Sequence, residues 1–129
     1  MPLRADFEIV RFNSHLGDKA GDLNVNWATF HGNQTPVKNF YIGQKPSADA
    51  YVLIQAYDVE SSNHEIVING VSLGGFDIPT TDEYRWQTWM DVIESGILKQ
   101  GNNTIQIKRA GGGDNFVIAH VAIHWREVV

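Results

Sequence analysis

The chain contains no cysteine. No disulfide framework, thiolate nucleophile or cysteine-ligated zinc can be built from it. It is also short of cations: 10 lysines and arginines stand against 15 aspartates and glutamates, a net charge of −5. A surface of that sign repels phosphates, which argues against nucleic acid and against an anionic membrane as partners. No apolar run approaches the roughly 20 residues of a membrane-spanning helix. The opening Met1-Pro2-Leu3-Arg4-Ala5-Asp6-Phe7 lacks the apolar core of a secretory signal. Read as written, the chain is cytoplasmic; the alternative is a secreted protein that has been trimmed. Catalytic signatures are missing too. There is no Gly-x-Ser-x-Gly elbow and no phosphate-cradling glycine loop opening a helix. His64-Glu65 runs into Ile66-Val67-Ile68, so the zinc-protease helix motif is not formed. His120 and His124 would share a metal on a helix, but on a strand they lie about 13 Å apart. They read as two half-buried histidines with backbone partners.

What is present suits a turn-rich β protein. With 129 residues, 43% of them apolar, and 12 glycines, residues 1–129 make one domain with a core of its own. Short strands are expected at Phe7–Phe12, Val25–Phe30 and Val37–Ile42, with Asn13–Asn24 a polar loop. Ala50–Val59 is the strongest strand. Both its faces are apolar, which predicts a central position covered on two sides. A short helical turn is expected after Thr88. Asp91 completes a capping box there, Trp89, Val92 and Ile93 form a stripe, and Gly96 ends it. Strands follow at Asn103–Arg109 and Asn115–Trp125, joined by the Ala110–Gly113 loop.

Two segments are more specific. In Glu65–Gly75, Asn69-Gly70 supplies the positive φ angles of a tight hairpin between Ile66-Val67-Ile68 and Val71-Ser72-Leu73. In Leu98–Ile107, Leu98 plugs the core and Gly101 allows a turn. Asn103 bonds its own backbone, and Ile105 and Ile107 point inward. The order Tyr51…Asn69-Gly70…Leu98…Gly101-Asn102-Asn103…Trp125 resembles the galactose-binding-domain-like β-sandwich, a jelly-roll module common among carbohydrate-binding domains. The resemblance covers residues 50 to 129 clearly and the first 49 only in strand pattern. It implies an all-β fold of two antiparallel sheets, about eight strands in a five-on-three arrangement, and ligands held by loops at one end or across a concave face.

A sugar is held by a flat ring against its apolar face and planar polar groups on its hydroxyls. Tyr84-Arg85-Trp86-Gln87-Thr88-Trp89 concentrates three rings. Trp89 reads as core from its stripe, and Trp27 and Trp125 as core from their strands. Trp86 is the better candidate platform, with Tyr84 beside it; its alternative is core packing. Arg109, Asp114 and Asn115 bracket one loop and could orient hydroxyls; the alternative is an ion pair that fixes that loop. Glu83, Asp91, Glu94 and Asp114 are not spaced to demand acid–base catalysis, and read as solvated surface. Asp18, Asp22, Asn24 and Asn26 are oxygen-rich, and modules resembling this one often hold a structural calcium. The spacing is not that of an EF-hand, so no cofactor is required and calcium has no motif behind it. The expectation is a non-catalytic module binding carbohydrate, with homo-oligomers for avidity. The alternative is a protein-interaction or assembly module using an apolar sheet face, with Phe116, Ile118 and Ala122 as the second apolar side of the last strand.

Overall fold

The computed structural model describes residues 2–47, 49–74, 77–110 and 113–128. The expectations for Gly75, Gly111 and Gly112 lie outside them. The strands are β1 Leu3–Leu16, β2 Thr29–Gly32, β3 Lys38–Ile42, β4 Ala50–Tyr57, β5 Glu65–Ile68, β6 Val71–Ser72, β7 Trp86–Ile93, β8 Gly101–Lys108 and β9 Phe116–Val128. They form a five-stranded sheet in the order β2-β1-β9-β4-β7 and a four-stranded sheet in the order β3-β8-β5-β6. Neighbours run antiparallel except β1 and β2. The fold is thus the all-β sandwich expected, with nine strands among the described residues and a second sheet of four rather than three. No helix among them is long and apolar enough to cross a membrane.

Alternation builds the core. Val52, Ile54 and Ala56 of β4 and Val121, Ile123 and Trp125 of β9 face Ile42, Ile66, Ile68, Ile105 and Ile107 of the other sheet, all in one buried cluster. Each large side chain contributes roughly 1.5–3 kcal/mol by leaving water. Leu98 is buried there too, as its place before the turn requires. Tyr51, Leu53 and Tyr57 on the outer face of β4 are only half-buried, so β4 is fully covered on one side alone.

Strand β9 changes parity midway. Ile118 to Val121 spans three residues where the facing Ala56 to Ile54 spans two, a bulge of one residue. Both halves of β9 can therefore face the core. Phe116 and Ile118 are fully buried in it, which corrects their placement on a second apolar face. Ala122 remains on the outer side. Val117 points outward and is covered by Leu23, Val25, Ala28 and Tyr57.

Other local expectations are also revised. The segment after Thr88 is strand β7, paired along its length with β4. The spacing of Trp89, Val92 and Ile93 suits a helix, but Thr88, Val92 and the rings suit a strand equally, and eight paired backbone positions decide the matter. The one helical turn lies instead at Ala20–Asp22. Trp89 faces the inner side at an uncovered edge and is exposed. Strand β1 runs on to Leu16 through the positive φ of Asn13, so the polar loop begins four residues later than expected. Val25–Ala28 is loop, not strand, and its Trp27 is exposed. Trp125 is buried as expected, its indole N–H donating to Glu127 at 3.0 Å. That bond and Arg4 lower the Glu127 carboxyl below the usual range. His120 is exposed, and His124 is held by rings rather than backbone, between Tyr51 at 4.7 Å and Phe7 at 5.6 Å.

The two specific segments are joined. Asn69 and Gly70 have φ of 52° and 78°, as a hairpin of this kind requires. The Asn69 amide donates to Asn103 Oδ1 at 2.8 Å and to the Ile97 carbonyl, and its oxygen accepts the Thr104 N–H. Asn103, fully buried, accepts the Lys99 N–H and donates to the carbonyls of Lys99 and Gly101. Two side-chain amides thus satisfy buried backbone groups of two turns at once. Replacing Asn103 by alanine strands the Lys99 N–H and two carbonyls. A loss of about 2–4 kcal/mol is expected in urea denaturation, whereas Lys108→Ala, exposed on the same strand, should cost under about 0.5 kcal/mol.

Candidate functional site

The strand ends Leu16, Gly32, Tyr57 and Lys108 and the strand starts Glu65, Trp86 and Phe116 lie at one end of the sandwich. The loops 17–28, 58–64 and 77–85, with residues 109–110 and 113–115, are thereby brought together.

Three rings meet at this end. Tyr57, last in β4, pairs across to Trp86, first in β7, with ring centroids 5.1 Å apart. Trp27 reaches over from the covering loop to lie 5.6 Å from Trp86 and 6.2 Å from Tyr57. Burial of Leu23 and Val25 on Val117 fixes that reach. Trp27 remains 50% exposed and Trp86 44%. An apolar ring surface of this size kept in water, on a rigid support, is what ligand stacking needs. Gln55 and Thr88 stand one step along the same face, paired with each other.

Tyr84 is exposed beside this group. Its positive φ of 56° is held by its N–H donating to Asp58 at 3.0 Å. The charges of Glu83 and Asp58 raise its phenol above the usual range, Glu83 first. Asp58 is raised as well, by burial first and then by Asp114 and Glu83. Glu60 shifts the same way, through burial, Asp58, Asp114 and Glu83. Asp58, Glu60, Glu83 and Asp114 thus act on one another at this end, with Arg85 the cation next to Trp86 in the chain.

Arg109, Asp114 and Asn115 are part of the loop framework. The Asp114 carboxylate is buried and accepts the N–H groups of Glu60 and Ser61 at 3.1 Å. It also accepts from His64 Nε2 at 2.6 Å. The His64 Nδ1 atom takes the Ala110 N–H, so that nitrogen carries no proton and Nε2 is the donor. The imidazole stacks on Phe116 at 4.1 Å. Arg109 has its side chain 4% exposed and pairs with Asp18 at 2.7 Å, donating also to Asn33 and to the Asp114 carbonyl. Its parity predicts a head emerging from the sandwich end; in fact three acceptors draw it under the loops. Asn115 Oδ1 accepts from His15 Nε2 at 3.1 Å, hard against Gly17, where a Cβ would collide with it. Of the five predicted residues, Tyr84 and Trp86 present ring surface, while the other three are engaged in contacts that tie loops together.

Trp27 and Tyr57 complete the ring group and escaped sequence reasoning. The signal for Trp27 was its place directly after Asn24-Val25-Asn26. The signal for Tyr57 was its outward parity at a strand end.

The four oxygen-bearing residues of the first loop do not converge on a cation. Asp18 is taken by Arg109, whereas Asn24 and Asn26 line an open groove of about 430 Å³ above His15 and Phe30. No group of three or more His, Asp or Glu side chains among the described residues is placed to hold a metal.

Removing the Asp114 carboxylate leaves two backbone N–H groups and a buried imidazole without acceptors. Asp114→Ala should cost about 3–5 kcal/mol in chemical denaturation and expose loop 58–64 to proteolysis. Asp22→Ala, on the surface of the 3₁₀ turn, should change neither.

Among curated proteins no sequence matches the chain. Solved structures share its fold. The CBM36-1 domain of a multidomain xylanase from the hindgut metagenome of Trinervitermes trinervoides is 17% identical with a TM-score of 0.58, over 92% of this chain and 96% of that one. A carbohydrate-binding module CBM36, solved with calcium and xylotriose, is 11% identical with a TM-score of 0.59, over 90% and 98%. A family 35 carbohydrate binding module from Clostridium thermocellum is 17% identical with a TM-score of 0.53, over 95% and 98%. The likeness is one of fold: the chain shares the two-sheet β-sandwich of these modules. By sequence, a family model matches residues 4–127, and the chain belongs to that family, the family of unknown function DUF7383.

Proposed function

We propose that this protein is a non-catalytic module that binds carbohydrate on the ring surface formed by Trp27, Tyr57 and Trp86. The observation that carries the reading is the contact of three rings at the loop end, two of them tryptophans left substantially in water. Water-exposed indoles cost free energy unless a ligand covers them, and the CH face of a pyranose is such a cover. The fold supports the reading, because solved sandwiches of this kind are carbohydrate-binding modules. Tyr84 flanks the rings, and Gln55 and Thr88 offer hydrogen bonds along the same face. Arg109, Asp114 and Asn115 act by positioning, since their polar atoms hold loops 17–28 and 58–64 to residues 109–110 and 113–115. The acidic side chains Asp58, Glu60 and Glu83 at this end favour neutral over anionic sugars. One shallow site gives weak affinity, so avidity from several copies would strengthen retention.

A glycan array of neutral and acidic polysaccharides tests this directly. Binding to neutral glycans is expected, weakened at least 10-fold by Trp86→Ala and by Trp27→Ala, with Asp22→Ala unchanged. Absence of binding to any glycan at high protein concentration would sink the reading.

A second reading, an assembly module, draws on the outer face of the five-stranded sheet. Val92, Tyr51, His124 and Phe7 are paired in one row across four strands, and Met90, Leu53, Ala122 and Ile9 in the next. Phe7, Ile9, Met90 and Val92 are each at least half exposed, an apolar patch of the kind that partners cover. In that case light scattering shows a dimer or larger species that Ile9→Asp returns to monomer. A wild-type chain that is monomeric at every concentration contradicts it.

A further inference from the structure

The open long side of the sandwich is closed by two carboxyl groups. Asp77 follows β6, the last strand of the four-stranded sheet, and Asp91 lies on β7, the last strand of the five-stranded one. Asp91 is opposite Val52, whose side chain is fully buried, so it too faces between the sheets. Each carboxyl has one oxygen engaged by a backbone N–H and one without a donor. Asp77 Oδ2 accepts the Ile66 N–H of β5 at 2.6 Å, and Asp91 Oδ1 accepts the Val92 N–H of β7 at 2.9 Å. The remaining oxygens, Asp77 Oδ1 and Asp91 Oδ2, are both buried and have no donor. Both orphaned oxygens thus belong to the seam between the last strands of the two sheets. Two carboxylates cannot bond to one another, but a carboxylic acid and a carboxylate can, and one proton then satisfies both orphaned atoms.

We propose that Asp77 and Asp91 share one proton and form a latch that holds β7 against the β5–β6 edge and opens when that proton is lost. Asp77 is 2% exposed. The charges acting on it are Asp91 on β7 and Glu65 on β5, both negative, while β6 and the facing part of β4 contribute none. Burial first, then these two acids, push the Asp77 carboxyl up to about 7. Its proton is therefore bound more tightly in the folded chain than in the unfolded one. The latch contributes its full stability in acid, loses it as pH rises from about 4 to 7 and supplies none above that. Ionisation places two adjacent charges in the seam, which drives the sheet edges apart.

The test uses the whole chain and no glycan, so its outcome is separate from that of the carbohydrate reading. Asp77→Asn keeps the shape and fixes the protonated pattern: its oxygen accepts the Ile66 N–H and its amide donates to Asp91. Melting is followed from pH 5 to pH 8.5 for both chains. Asp58 and Glu60 also bind protons more tightly when folded, so the difference between the chains is the quantity read. The variant should melt near the wild type at pH 5 and several degrees above it at pH 8.5. A difference that does not grow with pH overturns the latch. Carbon-13 NMR of the wild-type carboxyls is independent of the variant's folding: Asp77 should titrate near neutrality, with Ile66 amide exchange accelerating over the same range. Titration in the ordinary carboxylate range, below pH 5, contradicts the proposal. So does a rise in wild-type melting on adding calcium at pH 8 that Asp77→Asn abolishes, since a cation rather than a proton would then bridge the pair.

Discussion

The fold rests on one strand. β9 is hydrogen-bonded on both sides, to β1 and to β4, and its inner side chains are the floor of the core. A strand of 13 residues with strict alternation would present a single face throughout. The one-residue bulge between Ile118 and Val121 breaks that rule and sends Phe116 and Ile118 inward alongside Val121, Ile123 and Trp125. It also leaves Val117 facing out, and the first long loop folds over it. Leu23 and Val25 pack on Val117 together with Ala28 and Tyr57, and the loop they anchor carries Trp27 to Trp86. The candidate site is in this sense a consequence of where β9 changes parity.

A second constraint acts at the strand ends. Loops meeting at one end carry many backbone groups that no ladder can satisfy. Asp114 takes two of these N–H groups together with His64, and Arg109 gathers Asp18, Asn33 and the Asp114 carbonyl. Asp114 and Arg109 are therefore occupied in holding loops, while Gln55 and Thr88 stand beside the rings. Under the proposed carbohydrate reading, ring surface of this kind recognises shape and an apolar face more than a pattern of hydroxyls.

The parts of this design set by neighbours in sequence could be read from sequence. Asn69-Gly70 needs only its own φ angles, and Gly101 to Ile107 needs only a turn and an alternation, so both were legible, as was the sandwich they resemble. Their connection was not, because the bond between Asn69 and Asn103 spans 34 residues. The helical expectation after Thr88 failed for a physical reason. A three-residue capping pattern and an i, i+3, i+4 stripe are also compatible with a strand, and pairing with β4 overrode the local preference. The parity of Phe116 and Ile118 was misjudged because a bulge leaves no mark in composition. Tyr84 and Trp86 were singled out by their concentration of rings in a polar stretch; Trp27 and Tyr57 come beside Trp86 only through tertiary packing.

The account stands on Trp27 and Trp86 being the surfaces that meet a sugar while Trp125 stays in the core. Indole N–H signals in a proton–nitrogen NMR spectrum report the four tryptophans separately. Titration with a neutral oligosaccharide such as xylotriose should move the Trp27 and Trp86 signals in a saturable way and leave that of Trp125 in place. Saturable binding that leaves the Trp27 and Trp86 signals unmoved would contradict the account.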